Sequence, residues 1–330
     1  MSDDAINGAI NGWIILDKPR GLGSTQAVAA VKRNLREAGL PKTRTGHGGT
    51  LDPEAEGVLP IALGEATKLA GRMLDASKVY DFTIQFGEET DTLDAEGEVT
   101  QRTDRRPPMA AISAVLEHFT GEIEQVPPKY SALKVDGKRA YDRARAGEEV
   151  EMKTRIVTIH SLRLQGQRDD GDDIPSAFAT SAGRPDPYDP QAPLELADAV
   201  TLTAHVSKGT YIRSLARDIA RALGTLGHVT YLRRTKAGPF RQEQAISLDK
   251  LNEIGKGAAL EDLLLPLEAG LDDIPALVLD PESAQAVRQG RVVSGLPHTD
   301  GLYCAMLADV PVALVDLNGG TAKVVRGFNL

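Results

Sequence analysis

The sequence predicts an α+β protein: a mixed, largely antiparallel sheet with flanking helices, followed by a small β-rich C-terminal module. Three observations carry this reading. Strand-like apolar runs and helical periodicities are interspersed without the regular strand–helix alternation of a parallel sheet. From about Asp273 the pattern changes to short strands. The composition is ordinary for a globular chain, 41% hydrophobic and 26% charged over 330 residues, so a sizeable core can be buried.

Taken in order, residues 13–16 form a short apolar run stopped by Asp17-Lys18-Pro19-Arg20-Gly21, a buried strand ending in a turn. Ser24 or Thr25 then caps a helix carrying Val28, Val31 and Leu35 and ending near Gly39. Residues 43–57 are rich in glycine and small polar side chains and read as a loop. Residues 79–86 alternate, with Tyr80, Phe82, Ile84 and Phe86 on one face. Ile112, Val115, Leu116 and Phe119 follow helical spacing, with Gly121 as the terminator. Asp136-Gly137 marks a hairpin within residues 133–138. Residues 200–206 alternate again, and Ile212, Leu215, Ile219 and Leu223 return to helical spacing, stopped by Gly224. On that helix Arg213, Arg217 and Arg221 form a basic stripe beside the apolar one. Short strands follow at 303–307, 312–316 and 322–325, with a turn at Asn318-Gly319-Gly320.

The net charge of −9 is unevenly spread. Residues 167–198 hold eight acids against two bases, whereas residues 201–241 hold eight bases against Asp218 alone. Either segment alone reads as a solvated charged surface. Side by side they leave room for a polyanionic partner despite the acidic total. Residues 167–193, dense in Asp, Pro and Gly, read as a flexible surface insertion. A single cysteine, Cys304, excludes a disulfide framework and a multi-cysteine zinc site. The six histidines never fall at the spacing of a helical metal pair, so no metal is expected. No apolar run approaches the roughly 20 residues of a membrane span, and the acidic start lacks the layout of a secretion signal. A soluble, reduced, cytoplasmic protein is expected.

Residues 46–60, GHGGTLDPEAEGVLP, are the most informative stretch. Its glycines let backbone amides approach a ligand closely. Asp52 precedes a proline, which biases it away from helical geometry toward a fixed, extended presentation. A carboxylate so held can serve as nucleophile or electrostatic partner at a sugar carbon. From the dipeptide alone, Asp-Pro reads first as the start of a plain turn, and His47 alone reads as a loop hydrogen-bonder.

This run, continued through Gly64-Glu65-Ala66-Thr67-Lys68, resembles the signature of the TruB family of tRNA pseudouridine synthases. Further blocks resemble that family in the same order: Leu16-Asp17-Lys18-Pro19-Arg20-Gly21, Lys78-Val79-Tyr80 with residues 87–97, VPPKYSALK at 126–134, SKGTYIRSL at 207–215 and GHVTYLRR at 227–234. The resemblance implies a pseudouridine synthase fold, no cofactor, and isomerisation of the uridine at position 55 in the tRNA T-loop to pseudouridine on a flipped-out base. It implies Asp52 as the catalytic carboxylate, Arg213 as the cation that keeps it ionised, and Tyr80 stacked on the target base. Tyr211 and Leu232 are expected to contact that base and His47 the RNA beside it. Lys18, Lys68 and Arg217 are expected to hold phosphates or structure rather than do chemistry. By pattern alone Tyr80 also reads as a core tyrosine.

The expected organisation is a catalytic domain at 1–272, with the acidic insertion looping away from RNA, and a PUA-like domain at 273–330 supporting the tRNA. The expected partner is the tRNA T-arm stem-loop, bound by a monomer without guide RNA or membrane. A catalytically inactive tRNA-binding or folding protein and a guide-RNA-dependent synthase subunit are the alternatives. A carboxylate-pair glycosidase would need a second acid opposite Asp52, which no nearby residue clearly supplies.

Overall fold

The computed structural model describes residues 10–131, 133–135, 137–166 and 194–330. The acidic insertion expected at 167–193 lies outside the described residues. The contacts divide the chain into two units, residues 10–76 with 236–330, and residues 77–235.

The first unit opens with β1 (Gly12–Lys18), α1 (Ser24–Glu37), β2 (Thr45–His47), β3 (Glu56–Leu63) and α2 (Ala70–Asp75). Strand β3 lies between β1 and β2, antiparallel to both, with Lys18 opposite Gly57 and His47 opposite Ile61. Trp13, Ile14, Ile15 and Leu16 are all buried, as their continuous apolar run requires when both faces of a strand are covered. Gly23, not Ser24 or Thr25, is the N-cap of α1, and its amide donates to Gln26 Oε1 at 2.8 Å. The expected loop at 43–57 contains β2, a strand whose three residues show no alternation because its pairing is imposed by β3.

The second unit holds β4 (Lys78–Phe86), β5 (Glu88–Thr90), β6 (Val99–Arg102), α3 (Met109–Leu116), β7 (Gly121–Gln125), β8 (Lys134–Val135), β9 (Lys138–Arg139), α4 (Ala140–Arg145), β10 (Arg155–Leu164), β11 (Ala199–Val206), α5 (Ile212–Ala222) and β12 (Gly227–Ala237), whose last two residues belong to the first unit. Its strands run in the order β12-β4-β11-β10-β7. The β4–β11, β11–β10 and β10–β7 pairs are antiparallel. Phe82 faces Leu202 and Ile84 faces Val200, so the apolar residues of both strands share one side. There they meet Ile112 and Leu116 of α3 and Ile212, Leu215 and Ile219 of α5. Burying each such large aliphatic side chain contributes about 1.5–3 kcal/mol, which holds α5 against the sheet. The opposite side is polar: the Thr83 and Thr201 hydroxyls meet at 2.8 Å, and Thr203 Oγ1 donates to Asp81 at 2.6 Å. Gly121, expected to end α3, instead opens β7 after a short 3₁₀ turn at Glu117–Phe119.

The chain then completes the first unit with β13 (Phe240–Arg241), α6 (Leu248–Ile254), β14 (Ala276–Val278), α7 (Pro281–Arg288), β15 (Val293–Ser294), β16 (Gly301–Leu307), β17 (Val310–Asn318) and β18 (Thr321–Gly327). The last five strands form a sheet of their own, in which β14 and β16 are parallel. The strands after residue 273 were legible in the sequence, whereas α7, capped by Asp280 and started by Pro281, was not read. The central strands of this sheet, β16 and β17, are buried on both faces. Tyr303, Ala305 and Val315 pack with α7, while Cys304, Leu314 and Phe328 join Trp13, Val58 and Phe240 in one core. The C-terminal sheet thus belongs to one unit with the N-terminal strands.

Candidate active site

The Asp52 loop is pinned on both sides through its backbone. Ser24, at the first turn of α1, takes the Leu51 N–H at 2.8 Å and donates its hydroxyl to the Leu51 carbonyl at 2.9 Å. Beyond Asp52, the Pro53 carbonyl accepts from the Gly21 N–H at 2.8 Å and from Lys18 Nζ at 3.2 Å. The Asp52 carbonyl itself accepts from the Ala55 N–H at 3.1 Å. Asp52 is partly buried between buried Leu51 and Ala55. A carboxylate carried on backbone fixed at both flanks is preorganised, which is what a reacting group needs.

Lys18 is the hub of this arrangement. It is 0% exposed, and its ammonium donates to the carbonyls of Pro19 (3.0 Å), Leu22 (2.7 Å) and Pro53 (3.2 Å). A buried cation is tolerated only when hydrogen-bonded in this way. Its three carbonyl bonds tie the end of β1 to the turn after it and to the Asp52 loop. Lys68 is likewise engaged, donating to Glu65 at 2.6 Å and to the Gly327 carbonyl at 2.9 Å, while Glu65 also accepts the Asn329 N–H. Arg20 pairs with Glu54 beside the loop.

His47 ends β2, and its Nδ1 accepts from the Gly49 N–H at 3.4 Å. Gly48 donates to the Pro60 carbonyl at 2.8 Å, and a Cβ built on it would lie 2.6 Å from Met73 Cβ. Only glycine lets the chain pass there.

The second unit gathers Tyr80, Leu232, Tyr211 and Arg213. Tyr80 and Leu232 are partly buried and pack against the same core cluster, at its margin. Tyr211 is the N-cap of α5, in extended conformation, with the Arg155 guanidinium 5.9 Å from its ring centre. Arg213, 6% exposed, donates to the Thr92 carbonyl (3.0 Å), to Asp94 Oδ2 (3.1 Å) and to the Tyr130 carbonyl (3.0 Å). Asp94 is in turn held by Thr92 Oγ1 at 2.5 Å and the Glu96 N–H at 3.1 Å. Its neighbour Leu93 adopts φ 63°, a left-handed conformation that costs a branched side chain strain, and its carbonyl takes the Val229 N–H at 3.0 Å. Burial and a hydrogen bond to Asp91 push the Tyr130 phenol above its ordinary pKa.

The basic stripe of α5 resolves into clamps. Arg217 donates to Asp218 (2.8 Å) and to the Val126 carbonyl (3.1 Å). Arg221 bonds both carboxylate oxygens of Glu89, at 2.9 and 3.0 Å. Asp94, Glu89 and Ser24 were missed in the sequence. The two acids lie in the acidic run EETDTLDAEGE at 88–98, which does not say which acid meets which arginine. Among the described residues no group of acids, histidines or cysteines is arranged to hold a metal ion.

Two family models match the chain. "TruB family pseudouridylate synthase (N terminal domain)" matches residues 36–184, and "tRNA pseudouridylate synthase B C-terminal domain" matches residues 213–272. Residues 273–330 lie beyond both matches. The chain is 64% identical over 321 residues to the tRNA pseudouridine synthase B of Novosphingobium aromaticivorans, covering 97% of this chain and 98% of that one. It is 55% identical to the protein of the same name from Zymomonas mobilis subsp. mobilis, with 97% of each covered. Among solved structures it resembles a chain of a Cbf5-Nop10-Gar1 complex at 27% identity and a TM-score of 0.66, covering 96% of this chain and 85% of that one. A chain of an H/ACA RNP bound to a substrate RNA shares the fold at 24% identity and a TM-score of 0.66, covering 97% of this chain and 85% of that one.

Proposed function

Because the chain belongs to the TruB family of pseudouridylate synthases, we propose that it isomerises the uridine at position 55 in the T-loop of tRNA to pseudouridine. Asp52 is the catalytic carboxylate and acts on a base drawn out of the loop, since a stacked uridine hides its glycosidic carbon. The bond from C1′ to N1 breaks, the uracil turns, and C1′ bonds to C5. The C5 hydrogen leaves as a proton and N1 gains one, so the reaction is redox-neutral and balances without a co-reactant. Arg213 serves as the cation that keeps Asp52 ionised, Tyr80 stacks on the uracil, Tyr211 and Leu232 line its seat, and His47 meets the RNA beside it. The PUA-like reading of residues 273–330 assigns them to the tRNA elbow or acceptor side, and the acidic insertion is assigned to loop away from the RNA.

The single observation that supports this reading most is the pinning of Asp52 at Leu51 and Pro53, in a chain near-identical in length to relatives named for the activity. The guide-dependent alternative fits less well, because the chain of the Cbf5-Nop10-Gar1 complex is 27% identical whereas the relative named tRNA pseudouridine synthase B is 64% identical. We assign the protein to the cytoplasm as a monomer; among the described residues no helix is long and apolar enough to cross a membrane. The test is to treat an unmodified tRNA transcript with the purified chain and map pseudouridine by carbodiimide-dependent primer extension. Modification confined to position 55, without guide RNA, supports the proposal; modification elsewhere or none overturns it.

A further inference from the structure

Gln125 is the last residue of β7 and is 0% exposed. Its Oε1 accepts the Tyr211 N–H at 2.8 Å, which fixes which end of the amide points at α5, because two N–H groups cannot face each other. Its Nε2 is buried with no hydrogen-bond partner among the described residues. A buried orphan donor is costly, and a leucine or methionine would fill the same space without one. The amide is therefore present for its oxygen. Tyr211 supplies no side-chain cap to α5, so Gln125 caps the helix from another strand. The next residue reinforces the hold: the Val126 carbonyl accepts from Ser214 Oγ at 2.8 Å and from Arg217 Nη2 at 3.1 Å. Opposite Gln125 in the β7–β10 register stands Arg155, whose guanidinium covers the Tyr211 ring. The end of β7 thus fixes the Tyr211 backbone, its β10 partner fixes the ring, and Arg213 follows two residues later.

We infer that Gln125 is a positioning residue for the uridine seat, setting Tyr211 and Arg213 through the first turn of α5. The inference rests on the function proposed above. Its action is on geometry, not on affinity for the RNA, because a fully buried amide does not touch phosphate.

The test compares Gln125→Leu, Gln125→Met and Gln125→Glu in the full chain, the last keeping an acceptor oxygen for the Tyr211 amide. Single-turnover tritium release from a 5-tritiated T-arm stem-loop is expected to fall about tenfold or more in the two apolar variants, as small displacements of reacting groups do. Affinity for the stem-loop is expected to stay within about twofold, and Gln125→Glu to recover most of the rate. Hydrogen exchange at residues 211–213 is expected to speed up in the apolar variants alone, at an unchanged melting temperature. Wild-type rates in both apolar variants overturn the inference. So does a parallel loss of rate, affinity and melting temperature that Gln125→Glu shares. The exchange measurement needs no activity, so a wild-type chain inactive on tRNA would refute the proposed function while leaving the capping role separately readable.

Discussion

Arg213 sits in a shell of fixed acceptors, and removing one of them exposes what a buried charge costs. Its side chain is 7% exposed and that of Asp94 10%. Asp94→Asn leaves the guanidinium facing a neutral amide in a closed environment, and breaking such a pair costs about 3–5 kcal/mol. Urea unfolding should show a loss of that order, and an effect below about 0.5 kcal/mol, the scale of an ordinary surface change, would show the pair to be ornamental. Cys304 tests burial differently. Burial, with a smaller push from Glu268, raises its thiol to about 11. A raised folded-state pKa stabilises the fold fully below the unfolded value of 9.0, and that contribution is lost as pH rises through about 11. The stability gap between wild type and Cys304→Ala should therefore narrow between those two pH values and stay constant below them. A gap independent of pH across that window would mean the thiol is not held protonated by the fold.

The loop between β2 and β3 is built from one buried cation, Lys18, and one serine, Ser24, each reaching across from an element earlier in the chain. Lys18→Met should leave the affinity for a T-arm stem-loop and its salt slope unchanged, while lowering the single-turnover rate, because Lys18 is fully buried and holds the carbonyls of Pro19, Leu22 and Pro53. A direct phosphate contact would instead reduce the slope by roughly 0.7–0.9 per ion. At this scale the sequence was partly legible. The alternation of β4 and β11 announced their shared face, Tyr80 included, because a two-residue period is a local property. The apolar and basic stripes of α5 were equally plain. What the stripes bind was not, since Glu89 and Asp94 lie more than a hundred residues earlier and only the folded chain brings them together. Ser24 read as an N-cap because its type and position suited one; the cap is Gly23, and the hydroxyl serves Leu51.

For the whole molecule, the C-terminal sheet is not an appendage that can be cut away cleanly. Cys304, Leu314 and Phe328 complete a core shared with Trp13 and Phe240, and Arg72 of α2 holds Asp273 at 3.0 Å. Its strands were readable as a separate β-rich module, but a sequence does not show that the central strands are buried on both faces by different partners. Truncation after residue 272 should therefore abolish the cooperative thermal transition of the first unit, since removing several large core side chains costs about 2–5 kcal/mol each. A truncated chain that melts at the wild-type temperature would contradict this packing. Deleting residues 167–193 should leave tRNA binding intact; loss of binding would show that the acidic segment takes part in recognition. The proposed activity hangs on one carboxylate, that of Asp52, doing the chemistry. Tritium release from a 5-tritiated T-arm stem-loop, measured in a single turnover for wild type and Asp52→Asn, tests that directly. The account predicts rapid release by wild type, none above background by the variant, and equal RNA affinity for the two. Release by Asp52→Asn at the wild-type rate would contradict it.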